Sequence, residues 1–239
     1  MNIPVVCQAP AYRSAAGENR KVFETLGVTC LSLLGAAGSG KTTLLRAVLP
    51  RIRSELRVGV IEGDLASPHD SQQIAGLGVP VVQVLVDDRS QLTASQVRHG
   101  LSELPLDDLD LLIIENVGGL IGQMRSDLGQ QLRAVTLSIP AGGLLVAKYP
   151  QLFREANIIL LTKHDLLPHV PFDLDGTTAL LKELNPSAEV ICTDVHNRVG
   201  IDRLAGWMLG YMRAQRPRTG QKHQPFSQAL TTAPAPLPT

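Results

Sequence analysis

The chain has 239 residues, is 44% hydrophobic but only 3% aromatic, and carries a formal net charge of zero. That length suits one α/β domain with an aliphatic core, and the neutral balance argues against a broad nucleic-acid surface. No stretch approaches the roughly 18 apolar residues of a membrane span, and Met1 to Pro10 lacks a signal-peptide pattern, so a cytoplasmic protein without a membrane partner is expected.

Three cysteines, Cys7, Cys30 and Cys192, lie far apart in the chain. An odd, scattered set does not read as a disulfide framework, and Cys30 and Cys192 fall in apolar runs as small core residues.

Residues 1–13 show no periodicity and read as a flexible arm. Ala16, Val22, Phe23 and Leu26 predict a helix over 14–26. Val28 to Leu34 is a short apolar run suited to a buried parallel strand. It leads into Gly35, Ala36, Ala37, Gly38, Ser39, Gly40, Lys41 and Thr42, which fit G-x-x-x-x-G-K-[ST]. From Thr43 onward the apolar residues recur at helical spacing, ending near Pro50 to Ser54.

This order gives the pattern its chemistry. Glycines let the backbone turn its N–H groups toward phosphate oxygens, and the helix start adds partial positive charge. Lys41 can reach the β- and γ-phosphates, and the Thr42 hydroxyl can ligate Mg²⁺. A nucleoside triphosphate is the expected ligand.

Leu56 to Ile61 reads as the next strand and delivers Glu62-Gly63-Asp64. A carboxylate just past a strand's carboxyl end lies where open α/β sheets bind ligands, so Asp64 is a candidate Mg²⁺ residue. Asp70 then opens a short helix over 71–75, as its cap or as a nucleotide-responsive switch. A strand over 80–86, a helix over 92–101 and a buried strand over 109–114 follow.

That last strand ends in Glu115-Asn116-Val117-Gly118. In nucleotide hydrolases a carboxylate here supports Mg²⁺, and the glycine N–H senses the γ-phosphate. Aspartate is the usual first residue, so Glu115 is a departure.

A strand over 133–138, a loop over 139–145 and a short helix over 149–156 precede the strand 157–161. It delivers Thr162-Lys163-His164-Asp165, which matches [NT]-K-x-D. One carboxylate, Asp165, can accept from both the guanine N1–H and its exocyclic amine, which adenine does not offer. The Lys163 stem can lie across the ring. A helix over 174–184, a strand over 189–192 with Thr193 and Asp194 beside the base, and a helix over 200–213 complete the domain. Residues 214–239 are polar and rich in Pro and Thr, and read as a disordered tail.

These motifs together resemble the HypB family, the GTPases of [NiFe]-hydrogenase maturation in the SIMIBI class of dimerising nucleotide hydrolases. The resemblance runs from about Gly17 to Met212. It is carried by Glu18-Asn19-Arg20 with Phe23, the Gly35 to Leu45 stretch, Glu62-Gly63-Asp64 with Asp70, and Glu115 to Gly118. Lys148-Tyr149-Pro150, Thr162 to Pro168, Phe172 to Asp175 and Leu184-Asn185-Pro186 continue it.

The family places a Cys-His pair and a second cysteine that bind nickel or zinc at a dimer interface. The matching positions here are Ser90, Gln91 and Gly122, which offer no thiolate or imidazole to such a metal.

The resemblance implies an α/β, three-layer P-loop NTPase over 14–213, with a mostly parallel sheet and helices on both faces. It also implies slow GTP hydrolysis by a GTP-dependent homodimer that assists metalloenzyme assembly through maturation proteins or a client enzyme. Lys41, Asp64, Asp70 and Glu115 are the candidate catalytic residues, with Thr42, Asp64 and Glu115 around Mg²⁺. Asp64 and Asp70 are alternative positions for orienting the attacking water. The competing functions are a regulatory GTP switch unrelated to nickel and an ATP-using assembly factor of the same class.

Overall fold

The computed structural model describes residues 9–64, 69–86 and 91–215. Seven strands form one sheet in the order β3-β2-β4-β1-β5-β6-β7, with every pairing parallel. They are β1 (Thr29–Gly35), β2 (Val58–Asp64), β3 (Val81–Leu85), β4 (Leu111–Glu115), β5 (Leu132–Ser138), β6 (Ile158–Thr162) and β7 (Glu189–Thr193).

The helices are α1 (Ala9–Leu26), α2 (Lys41–Ile52), α3 (His69–Ala75), α4 (Ala94–Leu101), α5 (Leu120–Arg125), α6 (Leu144–Lys148), α7 (Pro150–Arg154), α8 (Leu174–Leu184) and α9 (Ile201–Gln215).

Strand alternation builds the three layers. Leu31 and Leu33, Val58 and Val60, and Leu111 and Ile113 face α2, Ile74 of α3 and α9. Cys30, Ile61, Leu112 and Ile114 face the opposite way, onto Val22, Phe23 and Leu26 of α1 and Val97 and Leu101 of α4. Farther along that second face, Val135, Leu137, Ile159 and Leu161 pack on Val146, Leu152, Phe153 and Leu181. Every residue of β1 is buried because the strand is central and covered on both sides. Burial pushes the Cys30 thiol well above its ordinary range, which makes it an unreactive core group.

Several expectations change. Helix α1 begins at Ala9 rather than Ser14, with Pro10 in the first turn, where a missing N–H costs little. The described parts of the expected arm and tail, Ala9 to Arg13 and Ala214 to Gln215, are therefore helical. Residues 1–8, with Cys7, and residues 216–239 lie outside the described residues. The loop expected over 139–145 contains a 3-10 turn at Ile139–Ala141 and the start of α6. Helix α5 was not foreseen. Both α5 and α6 are too short for a 3.6-residue period to declare itself.

Candidate functional site

Strand β1 lies between β4 and β5, and its carboxyl end opens into the glycine loop. The loop fits there because Gly35 has no side chain: a Cβ would collide with the Thr136 hydroxyl of neighbouring β5. The Ser39 and Thr136 hydroxyls are 2.7 Å apart, and Thr136 Oγ1 donates to the Leu34 carbonyl at 3.0 Å. Gly40 takes the left-handed N-cap position of α2, with φ 87°.

Lys41 is buried in the first turn of α2. Its Nζ donates to the Gly35 and Ala36 carbonyls at 3.2 and 3.3 Å. Burial lowers its pKa, and Glu115 opposes that by favouring the charged form. Thr42 Oγ1 donates to Glu115 Oε1 at 2.8 Å, so α2 and the end of β4 meet directly.

Glu62 is a site residue that sequence reasoning passed over in favour of Asp64. It is 2% exposed and register-paired with Glu115, itself 6% exposed. Both side chains extend the rows that face α2. Two buried carboxylates on neighbouring strands repel when both are ionised, and a nearby cation relieves that. Its signal was its place two residues inside the strand end, on the same face as Val60. Asp64 closes β2, and Asp70 lies in the first turn of α3 rather than before it.

A cavity of about 340 Å³ adjoins the glycine loop. Gly40 and Thr43 line one side, Thr162, Lys163 and Asp165 another, and Thr193 and His196 a third. The glycine loop and the [NT]-K-x-D segment, far apart in sequence, thus share one opening. Lys163 takes a left-handed conformation, φ 59°, uncommon for a residue with a Cβ.

Asp194 does not line the cavity; its carboxylate accepts from the Asn197 N–H at 3.1 Å and from the Asn197 side chain. Burial alone would raise its pKa, but the bonds from Asn197, joined by His196, hold it below the ordinary value.

Ser90 lies outside the described residues. Gln91 and Gly122 come together: a Cβ on Gly122 would collide with the Gln91 amide. Neither supplies a soft donor, so this pair does not fit nickel or zinc. The oxygen donors of Thr42 and Glu115, with Glu62 beside them, do fit a hard cation such as Mg²⁺.

Asn116 and Gln123 join the site without having been assigned a role. Asn116 Oδ1 accepts from Leu92 N at 3.3 Å and Val117 N at 2.9 Å. Gln123 bonds the glycine loop itself.

Residues 29–137 match the family described as CobW/HypB/UreG, nucleotide-binding domain. The chain is 38% identical over 195 residues to the hydrogenase maturation factor HypB of Azotobacter vinelandii, covering 81% of this chain and 64% of that one. It is 33% identical over 194 residues to the probable hydrogenase maturation factor HypB of Methanocaldococcus jannaschii, covering 81% and 88%. The crystal structure of HypB from Archaeoglobus fulgidus superposes with a TM-score of 0.79 at 31% identity, over 84% of this chain and 98% of that one. HypB from Helicobacter pylori, solved in complex with nickel, superposes with a TM-score of 0.80 at 26% identity, over 88% and 99%. This chain therefore belongs to the HypB family of hydrogenase maturation factors.

Proposed function

We propose that the chain binds and slowly hydrolyses GTP, and that its nucleotide state governs a homodimer that assists assembly of a metalloenzyme through partner proteins. The observation that carries the reading is the cavity shared by Gly40 and Thr43 with Lys163 and Asp165. A phosphate-binding loop and a carboxylate suited to guanine line one opening of nucleotide size.

In this reading Gly35 to Thr43 wrap the phosphates, with the backbone N–H groups and α2 supplying fixed positive potential. Lys41 leaves the Gly35 and Ala36 carbonyls for the β- and γ-phosphates, where its charge stabilises the transferring phosphoryl group. Thr42, Asp64 and Glu115 would hold Mg²⁺, which when bound offsets charge on the phosphate oxygens. Asp64 and Asp70 are the candidates for orienting water, and the Gly118 N–H faces the terminal phosphate. Asp165 pairs with the guanine edge while Lys163 and Thr193 flank it. The ATP-using alternative leaves the Asp165 carboxylate without the two donors that guanine supplies.

The chain spans 64% of its Azotobacter relative, so the maturation role carried by that protein's name is a proposal here. A GTP switch whose partner does not handle nickel is the second reading, favoured by the contact of Gln91 with Gly122 where metal ligands stand in the resemblance.

Phosphate release from GTP and ATP, with and without Mg²⁺, tests the hydrolytic claim. Mg²⁺-dependent release from GTP alone, abolished by Lys41→Ala, is expected. Release from ATP at an equal rate, or release unaffected by Lys41→Ala, would contradict it.

A further inference from the structure

Gln123 is fully buried, yet it sits on α5 beside apolar residues that an aliphatic side chain would suit as well. Its amide is instead bonded at both ends. Oε1 accepts from the Gly35 N–H at 2.8 Å, and Nε2 donates to the Gly118 carbonyl at 2.7 Å and the Gly35 carbonyl at 3.2 Å. Burying an amide is unfavourable unless its donors and acceptor are matched, and here they are matched by the first glycine of the phosphate loop and the last residue of Glu115 to Gly118.

The same Gly35 carbonyl accepts from Lys41 at 3.2 Å. When Lys41 turns to a phosphate, Gln123 keeps that carbonyl paired, so the loop does not acquire a buried orphan acceptor. Gly118, at φ 89°, is held through its own carbonyl, which fixes the segment whose N–H would meet a terminal phosphate in the proposed function.

We propose that Gln123 is a positioning residue that fastens Gly118 to the phosphate loop, so that the terminal phosphate is felt as a displacement of α5. The proposal rests on the triphosphate-binding reading above. Helix α5 has a means of passing the displacement on. Gly122 lies directly under the Gln91 amide, and Gln91 precedes Leu92, whose N–H is held by Asn116. A shift of α5 therefore moves the approach to α4. Ile121, 57% exposed on the same short helix, changes its presentation to solvent along with it.

The test uses the full chain with Mg²⁺, GDP and a non-hydrolysable GTP analogue. Affinities come from calorimetry, and hydrogen exchange reports on residues 118–125. Gln123→Met keeps the length and removes the hydrogen bonds; Gln123→Glu keeps an acceptor but donates only when protonated. In the unaltered chain, exchange over α5 should be slower with the GTP analogue than with GDP. In Gln123→Met that difference should vanish. Affinity for the GTP analogue should fall about tenfold, on the scale of one buried hydrogen bond, with GDP affinity changed less than about threefold.

Gln123→Glu should behave likewise at pH 8 and recover as acidification lets the carboxyl donate to Gly118, and it carries the test if Gln123→Met does not fold. Equal losses for both nucleotides, or an α5 exchange difference that survives in the variants, would mean a purely structural amide and overturn the proposal. An unaltered chain that binds no guanine nucleotide would overturn the underlying reading; normal binding with unaltered selectivity in the variants overturns this proposal alone.

Discussion

Thr162 Oγ1 donates to the Ser39 carbonyl at 2.6 Å, so the strand carrying the base-reading segment is bonded to the phosphate loop. The two halves of the candidate site are thus held in one relative position. Thr162→Val keeps the shape and β-branching but leaves a buried carbonyl without this donor. The expected loss is about 1 kcal/mol of nucleotide affinity, roughly fivefold, for GDP and the GTP analogue alike. Calorimetry on both ligands checks it.

In the proposed function Asp165 sets the base. Asp165→Asn replaces an acceptor-only carboxylate with a group that also donates. Guanine affinity should fall by about 100-fold, the scale of losing two charge-assisted hydrogen bonds in part. A xanthine nucleotide, which carries a carbonyl where guanine has its exocyclic amine, should bind the variant better than GTP does. Competition between GTP and XTP for the variant reads this directly.

The sequence made these motifs legible because their geometry is local. Gly35 to Thr42 must turn between a strand and a helix, and Thr162 to Asp165 must leave a strand end. The fold class followed from apolar strands between amphipathic helices. What escaped depends on neighbours distant in sequence. Glu62 joins the site because β2 lies beside β4, and Gln123 because a short helix returns it to Gly35, 88 positions away. Asp194 reads as a pocket residue by adjacency to Thr193, but Thr193 lines the cavity while the Asp194 carboxylate is bonded to Asn197.

Asp194 gives a pH prediction. Its pKa is held below the ordinary value of 3.8, so its contribution to stability is present above that pH and is lost as the pH falls through the lowered folded value. Asn197→Ala should remove about 1 kcal/mol at neutral pH. Its melting temperature should approach that of the unaltered chain only as the pH falls from 3.8 through the lowered folded value, where Asp194 protonates in the unaltered chain as well. Thermal melts between pH 7 and pH 3 provide the comparison.

Metal titration separates the two readings of the partner. Gln91 and Gly122 give nickel and zinc no soft ligand, so neither metal should bind tightly at this place, with or without the GTP analogue. The combined replacement Ser90→Cys, Gln91→His and Gly122→Cys should create stoichiometric binding that the unaltered chain lacks. Calorimetry with light scattering reports metal stoichiometry and the dimer together. Tight binding by the unaltered chain would direct attention to Cys7 and the histidines.

In the proposed function the cavity between Gly40 and Asp165 takes a guanine nucleotide. Calorimetric titration of the full chain with non-hydrolysable GTP and ATP analogues in Mg²⁺ tests it most directly. One guanine nucleotide per chain is expected, bound at least about 100-fold more tightly than adenine, with the preference lost in Asp165→Ala. Equal affinity for the two analogues, or a guanine preference that survives Asp165→Ala, would contradict it.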